Sequence, residues 1–139
     1  MAKSGRALAD RKKIQVLVNA TAYNAEIYDC GTIFTASGAS GTTTLNLPTI
    51  AQAGKGWWCK VIKTGAAAAG GTIVCNSDAA DGTTAIKGIN LDDAADLIAH
   101  DVVTIANGAD PGAQFEIVCD GEGWYILGFA VASADIAGS

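Results

Sequence analysis

The chain has 139 residues, half of them hydrophobic, with nine Lys and Arg against fourteen Asp and Glu for a formal net charge of −5. One domain of this length buries about two-thirds of the surface its unfolded chain exposes, so it needs neither disulfides nor metal to hold together. No run approaches the ~20 apolar residues of a membrane-spanning helix, and the opening MAKSGRALADRKK lacks the apolar core of an export signal, so neither a membrane role nor secretion is expected.

Charge is unevenly placed. Lys3, Arg6, Arg11, Lys12 and Lys13 are five of the nine basic residues, while the rest of the chain is acidic. No aromatic residue is interleaved with these charges and no second basic patch supports them, so nucleic acid is not the expected partner. Residues 1–12 read as a flexible basic arm, 13–131 as a β domain and 132–139 as a C-terminal tail.

After the arm, KIQVLVNA (Lys13–Ala20) alternates and predicts a first strand, and GTIFTA (Gly31–Ala36) a second, followed by a Ser/Gly loop. TTLNLP (Thr43–Pro48) alternates Leu45 and Leu47 with polar neighbours and stops at a proline. In GWWCKVIKTG (Gly56–Gly65), Trp58, Lys60 and Ile62 share one face; Trp57, Cys59, Val61 and Lys63 share the other. GTIVCNS, TTAIKGINL and DVVTIANG continue the series, while Asp92–His100, with acids early and His late, suits a short helix or turn. Last comes QFEIVCDGEGWYILG (Gln114–Gly128), two alternating runs about the turn Asp120-Gly121-Glu122-Gly123. Its second run is apolar on both faces, Trp124 and Ile126 on one and Tyr125, Leu127 and Phe129 on the other. Spacing near ten residues with Gly/Asp/Asn/Ser turns predicts an all-β fold, an antiparallel sandwich or barrel-like domain of about nine short strands.

Motifs for chemistry fail on spacing. GAAAAGGT (Gly65–Thr72) has the glycines of a phosphate loop, but Gly71 stands where the lysine must be and a strand follows instead of a helix. His100 is the single histidine and has no nucleophile in a recognisable frame. Cys30, Cys59, Cys75 and Cys119 form no CxxC pair, and three of them sit among strand residues, as small buried thiols do. Neither Asp78 and Asp81 nor Asp92, Asp93 and Asp96 have the spacing of a calcium loop. The expectation is a non-enzymatic protein with no cofactor and no metal.

The order of these elements carries a resemblance over about Thr43–Val131. TLNLP, then GWWCKVIKTGAAAAGGTIV, then DGTTAIKGI and finally GAQFEIVCDGEGWYILG resembles the succession in structural proteins of tailed bacteriophages, especially capsid decoration (cement) proteins and β-rich tail-fibre segments. The resemblance implies a homo-oligomer, most often a trimer, on the exterior of the virion capsid, with the major capsid protein as partner. On that reading Lys3, Arg6, Arg11, Lys12 and Lys13 contact the capsid, and Trp124, Tyr125 and Phe129 pack in the core or against a neighbouring subunit. The alternative is a tail-fibre or spike β-domain that binds a host receptor or a carbohydrate, for which Trp57, Trp58 and Trp124 would supply a stacking platform. The basic arm and the first forty residues lie outside the resemblance.

Overall fold

The computed structural model describes residues 12–66, 70–77, 86–90, 97–129 and 136–138. They form an all-β domain in two mixed sheets. The strands are β1 (Lys13–Val16), β2 (Ala22–Asn24), β3 (Thr32–Ala36), β4 (Thr42–Asn46), β5 (Trp58–Lys63), β6 (Thr72–Asn76), β7 (Ile86–Asn90), β8 (Leu97–His100), β9 (Val102–Ile105), β10 (Gln114–Cys119), β11 (Trp124–Phe129) and β12 (Ile136–Gly138). A seven-stranded sheet runs β1-β3-β5-β10-β11-β7-β8, and a five-stranded sheet runs β12-β9-β6-β4-β2.

The expected antiparallel arrangement is corrected. β1, β3 and β5 run parallel in one sheet, β2, β4 and β6 run parallel in the other, and β7 lies parallel to β11. The chain passes from sheet to sheet at each step from β1 to β6, making three successive turns of a coil. Parallel neighbours need a crossover between them, and here each crossover is a strand of the opposite sheet. The later strands add antiparallel pairs: β10 on β5, β11 on β10, β8 on β7, β9 on β6 and β12 on β9.

Twelve strands stand among the described residues where about nine were expected. β2 and β12 have three residues each, too short for alternation to register, and β12 lies in the stretch read as a tail. Leu97–His100 is strand β8 rather than helix or turn, while residues 91–96 lie outside the described residues.

Alternation decides which side chains enter the core. Phe34, Val61 and Phe115 are successive cross-strand partners on the inner face of the seven-stranded sheet and are fully buried. Leu45, Ile73, Cys75, Val103, Ile105 and Ile136 enter from the five-stranded sheet, and both sets belong to one apolar cluster. Each such side chain contributes about 1.5–3 kcal/mol on leaving water. Gly71 marks a close approach: its amide donates to the Gly38 carbonyl at 2.9 Å, and an added Cβ would stand 2.6 Å from that oxygen.

Short elements fix the turns. Helix α1 (Ile50–Ala53) begins with a capping box, in which the Gln52 amide donates to Thr49 Oγ1 at 3.1 Å and the Thr49 amide to Gln52 Oε1 at 3.2 Å. It ends at Gly54, whose φ of 69° suits glycine. The Thr-x-x-Gln spacing in the sequence carries that signal, but four residues are too few to show a helical period.

Candidate binding face

β10 and β11 form the expected hairpin, with Phe115 opposite Gly128 and Ile117 opposite Ile126. Asp120 holds the turn: its Oδ1 accepts from the amides of Glu122 and Gly123, both at 2.8 Å, and these bonds keep its carboxyl below the ordinary range. The acid in the turn therefore has a structural partner set.

The apolar residues of the hairpin divide by face. Trp124 is fully buried and meets Trp57 edge-on at 5.5 Å between ring centroids, so it packs inside the domain. Tyr125 points outward and is 45% exposed, beside Val118 and Leu127 at 39% each. Phe129 ends β11, but its side chain lies outside the described residues. Of the three residues expected at an interface, Tyr125 is the one the structure places on the outside. A tryptophan platform does not form: Trp57 and Trp124 are buried, and Trp58 is half-buried on the opposite face of β5 from Trp57.

The outward face continues across the sheet. Ile14, Ile33, Lys60, Glu116 and Leu127 are successive cross-strand partners over β1, β3, β5, β10 and β11. On one side of this row lie Trp58, Val118 and Tyr125; on the other, Val16, Thr35, Ile62 and Gln114. Ile14 and Val16 protrude from β1, 62% and 66% exposed. At the other side a groove of about 240 Å³ is lined by Lys60, Glu116, Val118, Tyr125, Ile126 and Leu127. A sheet face left to water normally alternates to polar residues, whereas this one carries apolar side chains on all five strands. The sequence signal was the two-sided apolar pattern of β11; the part contributed by β1 needed the register to be seen.

Of the expected capsid-contact residues, Lys3, Arg6 and Arg11 lie outside the described residues. Lys12 is exposed. Lys13 is a β1 residue whose Nζ donates to Asp29 Oδ1 at 2.8 Å. Asp29 also accepts from the Tyr23 hydroxyl at 3.2 Å and the Glu26 amide at 3.0 Å. These bonds draw β1 and β2 onto the 3-10 turn Ile27–Asp29. Lys13 therefore serves the fold of the first coil turn, and its ammonium already has a carboxylate partner.

Cys59, Cys75 and Cys119 are buried and Cys30 is exposed, all as free thiols. Burial raises Cys75 to about 12 and Cys59 well above an ordinary thiol. His100 lies on β8, while Asp78, Asp81, Asp92, Asp93 and Asp96 fall outside the described residues. Among the described residues no group of His, Cys, Asp and Glu is placed to hold a metal, and no helix is long and apolar enough to cross a membrane. No protein-family model matches the chain, and no curated protein matches its sequence.

Proposed function

We propose that this protein is a capsid decoration (cement) protein, a non-enzymatic component of a phage head that attaches to the outer surface of the shell and stabilises it. The observation that carries the reading is the solvent-facing apolar surface of the closing hairpin, where Val118, Tyr125 and Leu127 stand outside the core. Burial of such a surface on neighbours is the work of a structural protein, and it falls on the segment that resembles the phage proteins. The partner is the major capsid protein, reached by the basic residues of the arm, and repetition of identical weak contacts around a shell makes attachment durable. The architecture that goes with this reading is two sheets packed face to face, supported by the one core cluster that both sheets feed.

The test compares particles carrying and lacking the chain. Decorated heads should hold their genome to a higher temperature, and a chain without Met1–Lys12 should attach more weakly at moderate salt. Equal heat resistance of bare and decorated heads would remove the stabilising role. A second reading has its own support: stacked coil turns are a unit that extends by repetition, which suits a tail-fibre or spike domain. Binding of the isolated chain to host cells, without binding to heads, would establish that alternative.

A further inference from the structure

We infer that Asn107 is a site of spontaneous modification: its side-chain amide condenses with the Gly108 backbone nitrogen and then hydrolyses to aspartate or isoaspartate, promoted by the Lys63 ammonium. The inference is independent of the proposed function, since it concerns one loop and needs only water as co-reactant.

The loop between β9 and β10 places the reacting pair in the open. The Ala109 amide donates to the Ala106 carbonyl at 3.2 Å and closes a turn with Asn107 and Gly108 at its centre, both exposed. Asparagine and glycine suit such a turn by conformation. For the chemistry the glycine matters differently, because no side chain shields its nitrogen. Beyond its chain neighbours, no atom lies within 4 Å of where a Cβ would stand.

Asn19, Asn24, Asn46 and Asn76 are held out of the same reaction. Asn19 Oδ1 accepts from Ser37 Oγ at 2.9 Å, and the next amide, of Ala20, donates to Thr43 Oγ1 at 3.2 Å. Asn24, Asn46 and Asn76 are tied side chain to side chain. The amides that follow them, of Ala25, Leu47 and Ser77, donate to the carbonyls of Asn46, Asn76 and Asp101. A nitrogen engaged in such a bond is not available to attack the side chain before it. Among the described residues, neither the Asn107 side chain nor the Gly108 amide has a hydrogen-bond partner.

The cation supplies the activation. Lys63 Nζ donates to the Asn107 carbonyl at 2.8 Å, and that oxygen belongs to the same peptide group as the Gly108 nitrogen. A positive charge beside a group favours its anionic form, and a charge-assisted hydrogen bond is stronger than a neutral one, so this amide gives up its proton more readily. The Gly108 amide loses its proton to water, its nitrogen bonds Asn107 Cγ, and the Cγ–Nδ2 bond breaks as ammonia leaves with a proton from solvent. Water then opens the cyclic imide at one of its two carbonyls. Attack at the carbonyl that faces Lys63 frees it as a carboxylate beside the ammonium and leaves isoaspartate in the chain. The loop gains a negative charge and a main-chain methylene at the point where β5 holds it.

The test is a timed incubation of the folded full chain at neutral pH. Peptide mass spectrometry reads each asparagine, and chromatography separates aspartate from isoaspartate. Asn107 should convert while Asn19, Asn24, Asn46 and Asn76 remain amides in the same samples. Gly108→Ala, in open space and outside the left-handed region, should keep the circular dichroism of the parent and slow the conversion. Lys63→Met should slow it by about 10-fold, the effect of about one pKa unit on the Gly108 amide. Loosening of the loop alone would speed the reaction, so the direction separates activation from mere support. The unaltered chain gives a reading that needs no variant: the share of isoaspartate at position 107 should be larger when formed in the folded protein than in urea, where Lys63 no longer faces the carbonyl. Asn107 no faster than the other asparagines, a Gly108→Ala or Lys63→Met rate equal to or above that of the parent, or an equal product split in the folded and unfolded chain would each overturn the inference.

Discussion

The Nζ of Lys63 donates to the carbonyl of Asn107 at 2.8 Å from a side chain that is fully buried. The same ammonium reaches the Ala106 carbonyl at 3.2 Å, while the Lys63 backbone bonds Gly112 and Ala113. One residue at the end of β5 therefore ties down both sides of the loop between β9 and β10. Lys63→Met keeps the length of the side chain and removes its donors. The Ala106 carbonyl keeps the Ala109 amide and Asn107 is exposed, so each lost bond costs about 0.5–1.5 kcal/mol and the urea midpoint should fall with little change in slope. A variant as stable as the parent would show that water satisfies the loop.

Asp29 makes stability depend on acid. Burial pushes its carboxyl up, but the Glu26 amide and the Lys13 ammonium, with help from Tyr23, hold it below its ordinary value. A carboxyl depressed in the folded state stabilises at pH above its unfolded value of about 3.9, and that contribution is lost as pH falls through the folded value. Asp29→Asn should therefore lower stability at neutral pH and show a smaller further loss between neutrality and about pH 3 than the parent does. Denaturant midpoints across that window decide it; parallel curves for the two proteins would assign the acid dependence elsewhere.

The three parallel strands of the coil carry an amide ladder. Asn76 donates to Asn46 at 3.0 Å, and Asn46 donates to Asn24 at 2.7 Å, with the three residues in register. Asn46, in the middle, takes part in two of these bonds, and Asn24, at the end, in one. At about 0.5–1.5 kcal/mol for each bond, Asn46→Ala should destabilise roughly twice as much as Asn24→Ala. Thermal midpoints of the two variants provide the comparison, and equal effects would mean that the ladder adds nothing beyond the backbone pairing.

Thiol labelling reads the core directly. Cys30 is exposed, whereas Cys59, Cys75 and Cys119 are buried, two of them with strongly raised pKa values caused by burial. The thiolate is the reactive form, so a maleimide at neutral pH should modify one cysteine quickly in the folded protein and all four after denaturation. Fast native labelling at two or more sites, counted by mass spectrometry, would contradict the packing around β5, β6 and β10.

Much of the strand content was legible because period-two alternation is a local property. It set Trp57, Cys59, Val61 and Lys63 on one face of the segment around β5, and the structure buries that face. It also marked the closing hairpin, whose turn is specified by Asp120 and two nearby glycines. What alternation cannot say is which strand lies next door or in which direction. The parallel coil of β1, β3 and β5 against β2, β4 and β6 joins residues far apart in sequence, and only burial of both inner faces in one cluster selects it. The same holds for the hairpin tryptophan and tyrosine. Trp124 and Tyr125 read as equally apolar neighbours, yet the pleat sends one into the core beside Trp57 and the other to the surface beside Leu127. The residues themselves determined that this would be a strand with two apolar sides. Which side was buried and which was left exposed was decided by the tertiary packing that gathers the core residues of the distant strands into one cluster.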